Sequence, residues 1–162
     1  MNYQYILDQL PYTSGFRFVD GITHVDENGI IGYCTLRPDA FFYAGHFPGN
    51  PVTPGAILTE VMAQIGLVAL GIFLVSAAPD GSRYAAGPPD GRNDAPAGLF
   101  PLLTSADSSF LKLVLPGEKV TVISKKVYFR FDKLKCKVEM RNAQDEPVAK
   151  AVVSGMIRKI TK

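Results

Sequence analysis

The longest apolar run of the chain, residues 56–75, constrains its fold more than any other feature. About 20 such residues are enough to cross a bilayer as a helix. Thr59, Glu60 and Gln64 interrupt the run, however, and a carboxylate at the centre of a bilayer costs about 2.5–3.5 kcal/mol. The uninterrupted remainder, residues 65–75, is too short to span. We therefore predict a helix that is apolar nearly all round because a sheet encloses it.

Local signals predict where this helix begins and ends. Thr53 suits the N-cap position, and Pro54 suits the first helical position because its missing N–H has no partner there. Pro79 and Gly81 break the pattern after Ser76, so we expect the helix to end near that residue.

Strand patterns lie on both sides of the helix. An Asp-Glu-Asn-Gly turn at residues 26–29 predicts a hairpin, because Asn-Gly tolerates positive φ. Near the C-terminus, apolar and charged residues alternate strictly over 133–141, as expected for a strand with one dry face. Two strands, one long helix and three strands predict an α+β fold, in which a curled antiparallel sheet wraps the central helix. The predicted strands are 16–25, 30–36, 119–131, 133–141 and 148–157.

The segment from Ser76 to Phe100 does not fit this pattern. It holds four prolines and four glycines without any periodicity. We predict a surface loop or insertion, serving as a lid or having no role, within one domain that spans residues 1–162. A chain of 162 residues is long enough to bury a core as a single domain.

Composition excludes several function classes. A net charge of +2 is too small to indicate nucleic-acid binding. The N-terminus has neither a basic segment nor a long apolar run, so we expect a cytoplasmic protein. Cys34 and Cys136 form no Cys-x-x-Cys pair, and we interpret both as buried strand thiols. We expect neither a metal nor a cofactor.

Candidate chemistry concentrates just before the helix and in its first turns. The loop from Gly45 to Gly55 holds three prolines and three glycines in 11 residues and carries His46. Such a loop restricts the backbone to few conformations, as suits a group held for catalysis. Glu60 follows in the helix, in apolar surroundings that favour the neutral form of a carboxyl group. A neutral His46 can accept a proton and a protonated Glu60 can donate one.

An acid and a base in one site are what the elimination of water requires. The base takes the proton α to a thioester carbonyl, and the acid protonates the departing hydroxyl. The N–H of Gly55, at the positive end of the helix dipole, can stabilise the enolate-like oxygen that forms in between. The residues alone leave other roles open, since a loop histidine often only forms hydrogen bonds and a helical glutamate often faces water. His24, the second histidine, is predicted to be a surface residue.

The motif from Gly45 to Gln64 resembles the signature of FabZ-type 3-hydroxyacyl-acyl carrier protein dehydratases. Residues 10–11 and 16–20 resemble that family's opening motif, and residues 110–118 resemble its returning strand. The resemblance implies a hotdog fold and a homodimer in which His46 of one protomer meets Glu60 of the other. It also allows a hexamer of stacked dimers. It also implies that Gly55 binds the carbonyl. Other residues of the motif are expected to contact the substrate: Phe47, Val52, Pro54 and Gln64.

The resemblance implies an activity and a partner. The expected reaction converts a (3R)-3-hydroxyacyl thioester on acyl carrier protein to the trans-2-enoyl thioester. FabA-type isomerase-dehydratases carry aspartate at the helix position, so Glu60 favours dehydration without isomerisation. Carrier proteins are acidic, so their docking surface is expected to be basic. The candidates are Lys112 and the exposed strand cations, with Lys126 and Arg130 preferred because alternation places both on one strand face with Tyr128: Lys125, Lys126, Arg130, Lys133, Lys135 and Lys137.

Three departures from the family pattern leave alternatives open. Thr53 stands where the family often has methionine, Ser108 and Ser109 stand where basic residues are common, and residues 76–100 do not align. The pathway is therefore either housekeeping fatty-acid synthesis or a specialised, polyene-like product. A hotdog thioesterase and a non-catalytic acyl-binding protein are the rival functions.

Overall fold

The computed structural model describes residues 2–77 and 99–159. In this part of the chain, secondary structure follows the predicted order with one additional strand and an additional short helix near the N-terminus. The elements are α1 (Gln4–Asp8), β1 (Gly21–Asp26), β2 (Gly29–Thr35), α2 (Gly55–Ala63), a π-helical segment (Gln64–Ala69), α3 (Leu70–Ser76), β3 (Leu99–Phe110), β4 (Lys119–Arg130), β5 (Lys133–Arg141) and β6 (Pro147–Lys159).

The strands form one antiparallel sheet in the order β1-β2-β4-β5-β6-β3. Glycines let the helix approach this sheet closely. A Cβ on Gly66 would lie 2.9 Å from Val138 of β5, and one on Gly71 would lie 2.8 Å from Ile157 of β6. The sheet therefore encloses the helix, and the predicted hotdog fold is confirmed.

The central helix comprises α2, the π-helical segment and α3, and it runs without a break from Gly55 to Ser76. It is long and apolar enough for a membrane span, yet every residue from 61 to 72 is buried against the sheet. The prediction that Thr53 caps the helix is wrong by one residue. Pro54 is the N-cap, while the Thr53 hydroxyl hydrogen-bonds the Tyr43 hydroxyl at 2.6 Å.

The strands near the N-terminus differ from the predicted ones at one end. The first was expected from residue 16, but β1 begins at Gly21. The backbone N–H of Phe18 donates to the side chain of Gln64, at 2.8 Å, instead of to a neighbouring strand. The hairpin turn between Asp26 and Gly29 is confirmed.

Strand β3 was not predicted, so the expected count of three strands after the helix was wrong. Its sequence includes Pro101 and several serines and lacks alternation, because β3 is an edge strand with most of its residues exposed. Of the predicted loop from Ser76 to Phe100, residues 78–98 lie outside the described residues.

A register shift in β4 alters the predicted basic surface. Cross-strand partners share a face of the sheet. Lys126 pairs with the buried Cys136, whereas Tyr128 pairs with Lys135 on the outer face. The bulge between Lys126 and Tyr128 thus breaks the period of two, and the prediction that Lys126 shares a face with Tyr128 is wrong.

The two cysteines and the second histidine lie as predicted. Cys34 and Cys136 are buried free thiols on β2 and β5. Burial raises the pKa of the Cys34 thiol to about 12 and that of Cys136 to about 11. His24 is an exposed residue of β1, 3.2 Å from Asp26.

Candidate active site

The loop that carries His46 is fixed by hydrogen bonds at both ends. Phe47 and Asn50 exchange two backbone bonds, of 3.2 and 2.9 Å, and Gly49 takes a positive φ of 71° in the turn between them. The N–H of Val52 donates to the His46 carbonyl at 2.9 Å. These bonds confirm that the segment between His46 and the helix is ordered by its own backbone.

The His46 ring is oriented from within the same loop. Its Nδ1 lies 2.8 Å from the carbonyl oxygen of Val52. A carbonyl oxygen only accepts, so Nδ1 carries the proton and Nε2 of the neutral ring keeps its lone pair. The Phe47 ring stacks on the imidazole at 4.1 Å, and the peptide bond between the two residues is cis. The loop therefore presents a base at Nε2.

Glu60 is half-buried, and its carboxylate is held by the next turn of the helix. Gln64 Nε2 donates to Glu60 Oε1 at 2.8 Å and to the Phe16 carbonyl at 2.9 Å. Gln64 Oε1 accepts the Phe18 N–H at 2.8 Å. One side-chain amide thus ties the carboxylate to the segment 16–18. The second carboxylate oxygen has no hydrogen bond among the residues that the structure describes.

Tyr12 is a site residue that sequence reasoning missed. Burial raises the pKa of its phenol, and the charge of Glu60 raises it further, so the two groups are near each other. The ring also contacts that of Phe16, with centroids 6.4 Å apart. No spacing rule links residue 12 to residue 60. The only available signal was that Tyr12 follows Leu10-Pro11 in the opening motif.

Gly55 begins the central helix close to Phe110, the last residue of β3. A Cβ at Gly55 would lie 2.9 Å from the Phe110 ring, so a side chain there would displace that ring. Within the described ranges, the Gly55 N–H has no acceptor, as is usual for the first helical residue. A substrate oxygen can therefore bind at this N–H.

The other predicted substrate-binding residues differ in exposure. Phe47 is 53% exposed, and Val52 and Pro54 are half-buried beside the histidine and the helix start. Gln64 is fully buried, with its amide oxygen and nitrogen both hydrogen-bonded inside the chain. This environment favours a positioning role for Gln64 over the predicted contact with substrate.

No hydrogen bond or ion pair joins His46 to Glu60 in the structure over 2–77 and 99–159. The same ranges contain no group of three or more His, Cys, Asp or Glu side chains placed to hold a metal ion.

The predicted docking residues lie in different settings. Lys112 forms a salt bridge of 2.7 Å with Glu146, and Lys126 lies on the same face as Cys136. Arg130 lies on the outer face, 4.9 Å from the Tyr128 ring centroid. It belongs to a group that we call the outer-face cations, which have no salt bridge within the described part of the chain: Lys125, Arg130, Lys133, Lys135 and Lys137.

Sequence comparisons point to one family. Residues 10–87 match the FabA-like domain. The 3-hydroxyacyl-[acyl-carrier-protein] dehydratase FabZ of Acinetobacter baylyi is 30% identical over 122 residues, which are 75% of this chain and 72% of that protein. The enzyme of the same name from Petrotoga mobilis is 30% identical over 121 residues, which are 74% of this chain and 72% of that protein.

Solved structures share the fold at low sequence identity. The dehydratase heterocomplex ApeI:P from Xenorhabdus doucetiae aligns with a TM-score of 0.70 and 10% identity, covering 95% of this chain and 91% of that chain. A thioesterase from Haemophilus influenzae aligns with a TM-score of 0.61 and 14% identity, covering 96% of this chain and 90% of that chain. These likenesses support the fold alone.

Proposed function

Because the chain belongs to the FabZ family of 3-hydroxyacyl-[acyl-carrier-protein] dehydratases, we propose that it removes water from a (3R)-3-hydroxyacyl thioester on acyl carrier protein. The product is the trans-2-enoyl thioester, and the enzyme is a lyase. The observation that carries the proposal is the Glu60 carboxylate, which Gln64 holds by one oxygen while the other has no hydrogen bond within the described residues. The predicted location stays the cytoplasm.

His46 is the base of the proposed reaction. Its Nε2 takes the proton from the carbon α to the thioester carbonyl, while the Val52 carbonyl holds the Nδ1 proton. The negative charge that develops on the thioester oxygen is stabilised by the Gly55 N–H and the helix N-terminus. A donor of this kind typically contributes 10²–10³ in rate, on the order of 3–4 kcal/mol.

Glu60 is the acid of the same reaction. As the bond between C3 and its hydroxyl oxygen breaks, the carboxyl group gives its proton to that oxygen, which leaves as water. The electron pair of the broken Cα–H bond becomes the new double bond. His46 then holds the extra proton and Glu60 is ionised, and proton exchange with solvent restores both. Each group is expected to contribute roughly 10²–10⁴ in rate.

The site requires a second copy of the chain. No hydrogen bond or ion pair joins His46 to Glu60 within the described residues of one chain. Within the same residues, β3 is an exposed edge strand that pairs with β6 on one side only. Exposed edges are templates for pairing with another chain. Leu102, Leu103 and Phe110 add apolar surface, at 57%, 47% and 49% exposure. We therefore place His46 of one protomer against Glu60 of its partner.

The outer-face cations are the proposed docking surface for the acidic carrier protein. Lys125 lies directly opposite Lys137, and Arg130 lies opposite Lys133. Like charges in opposite positions destabilise a sheet. An anionic partner relieves this repulsion, and charge complementarity also speeds its encounter. Arg130 is retained from the predicted set, whereas the salt bridge of Lys112 and the position of Lys126 make these two weaker candidates.

A spectroscopic dehydration assay on carrier-bound 3-hydroxyacyl chains tests the activity. Glu60→Gln and His46→Ala should each lower turnover by ~10² or more. Glu27→Gln and His24→Ala change the same residue types on the exposed β1–β2 hairpin and serve as matched controls. Near-full dehydration by Glu60→Gln overturns the acid assignment. Chains of several lengths separate fatty-acid synthesis from a specialised polyene-like product, and release of free thiol would indicate a thioesterase instead.

A further inference from the structure

The hydroxyl group of Tyr12, which lies within electrostatic reach of Glu60, has no hydrogen bond in the described part of the chain. The residue is half-buried, and the hydroxyl oxygen is not fully enclosed. A tyrosine in partly apolar surroundings usually finds a partner for its O–H. Among the described residues, the Tyr12 hydroxyl is therefore available to a hydrogen-bond acceptor that enters the site.

The backbone places Tyr12 on the same side of the site as the carboxylate. Gln64 Nε2 donates to Glu60 Oε1 and to the Phe16 carbonyl, at 2.8 and 2.9 Å. Two acceptors of one amide nitrogen lie about 5 Å apart. The Phe16 N–H also donates to the Thr13 carbonyl at 3.0 Å, which closes a turn and brings the Tyr12 ring against that of Phe16. Residues 12–16 thus border the space beside Glu60.

The phenol is a hydrogen-bond donor over the working pH range. Burial raises the pKa of Tyr12, so the group stays protonated to higher pH than an ordinary tyrosine. Gln64 donates to Oε1 of Glu60, and within the described residues neither Oε2 nor the Tyr12 hydroxyl has a hydrogen bond. A protonated acid and a neutral donor side by side suit a single oxygen between them.

We propose that Tyr12 donates a hydrogen bond to the 3-hydroxyl oxygen of the substrate while Glu60 supplies the proton. This inference rests on the proposed dehydration. Tyr12 keeps its own proton throughout, so the proton balance of the reaction is unchanged. The contact exists only for chains that carry the 3-hydroxyl group. Tyr12 therefore makes the site prefer the 3-hydroxyacyl thioester over saturated chains of equal length.

Binding of two pantetheine thioesters to the Glu60→Gln protein tests the contact without turnover. The pair consists of a 3-hydroxyacyl chain and the saturated chain of the same length. Adding Tyr12→Phe should lower the affinity for the hydroxylated ligand by roughly 3- to 10-fold, as expected for the loss of one neutral hydrogen bond. Affinity for the saturated ligand should stay the same. Tyr5→Phe, which removes a hydroxyl from the 42% exposed Tyr5 of α1, should change neither affinity.

The ratio of the two affinities decides the role of Tyr12. A loss confined to the hydroxylated ligand supports the contact. Equal losses for both ligands, or no loss for either, overturn it, because packing changes do not distinguish one hydroxyl group. The dehydration rate of the Glu60→Gln protein is measured separately. A high dehydration rate of the Glu60→Gln protein would contradict the proposed function. The ratio of the two affinities would still decide whether Tyr12 contacts the 3-hydroxyl group.

Discussion

Gln64 donates a hydrogen bond from Nε2 to Glu60 Oε1 at 2.8 Å, across one turn of the central helix. Gln64 is also the first residue of the π-helical segment, and such segments are frequent at functional sites. The same amide binds the Phe16 carbonyl and the Phe18 N–H. The orientation of the proposed acid and the anchoring of the N-terminal segment therefore depend on one buried side chain.

Gln64→Leu should lower the free energy of unfolding by about 2–4 kcal/mol, because it leaves the buried N–H of Phe18 and the partly buried carbonyl of Phe16 without partners. Urea denaturation measures this loss. Thr59→Val is the matched control on the same helix, since it removes only the 3.0 Å bond to Ser108. If Gln64→Leu lowers the free energy of unfolding no more than Thr59→Val does, the Gln64 amide does not anchor the segment 16–18.

Glu139 should contribute stability that depends on pH. The hydrogen bond from Arg141, together with the charges of Arg141 and Lys150, lowers the pKa of its carboxyl group. A carboxyl pKa lowered by folding adds stability above the unfolded value of about 4.3, and this stability is lost as pH falls through the lower native value. Urea midpoints of Glu139→Gln should lie below those of the unaltered protein at pH 7 and approach them near pH 2.

The exposed carboxylate of Glu27 supplies the control for this prediction. It has no salt bridge within the described residues. Glu27→Gln should leave the urea midpoint almost unchanged at both pH values. If the urea midpoint of Glu139→Gln lies equally far below that of the unaltered protein at pH 7 and at pH 2, packing and not ionisation causes the loss of stability.

The parts of the fold with a regular pattern could be predicted from the sequence. Residues 133–141 alternate because one face of β5 is buried, and the helix is apolar because the sheet encloses it. Both patterns are therefore recognisable in the sequence. The described side chains of β3 are mostly exposed within one chain, so its sequence does not alternate between apolar and polar residues. The bulge after Lys126 adds one residue to β4, and nothing in the local residue types indicated it.

The candidate site was predictable only where its residues are close in sequence. His46, Gly55 and Glu60 lie within 15 residues around a helix start, so the motif and the helix signals indicated them as one group. Tyr12 comes near Glu60 because Gln64 bonds the distant segment 16–18 and the turn at Thr13 holds Tyr12 beside that segment. Such contacts depend on the tertiary fold, and no local rule encodes them.

Ala106→Arg should convert the proposed dimer to a monomer and abolish most of its activity. Ala106 is exposed in the middle of the β3 edge, where a second copy would place an identical residue nearby. Light scattering after size-exclusion chromatography measures the mass. Thr23→Arg makes a similar change on β1, at the opposite edge of the sheet, and should change neither mass nor activity. A fully active Ala106→Arg monomer would contradict the shared site.

Lys135→Glu combined with Lys137→Glu should raise the Michaelis constant for carrier-bound substrate by roughly 10-fold at low salt. Both side chains lie on the outer face, beside Tyr128 and Lys125. Charges of this kind act mainly on the rate of encounter, and salt screens them with a length of about 8 Å at physiological ionic strength. Initial rates on carrier-bound and on small pantetheine-linked substrates measure the effect, which should vanish for the small substrate.

Two single reversals distinguish a docking surface from a general charge effect. Lys119→Glu changes the same charge at the far end of β4, about 20 Å from Lys125 at 3.3 Å per residue. Lys126→Glu changes it next to the proposed surface but on the face of Cys136. Because docking requires contact with the outer face, both variants should raise the Michaelis constant less than either single reversal at Lys135 or Lys137. If all four reversals raise the Michaelis constant equally, the cations act only through net charge and do not form a docking surface. A lower rate on the small substrate would indicate damage to the active site itself.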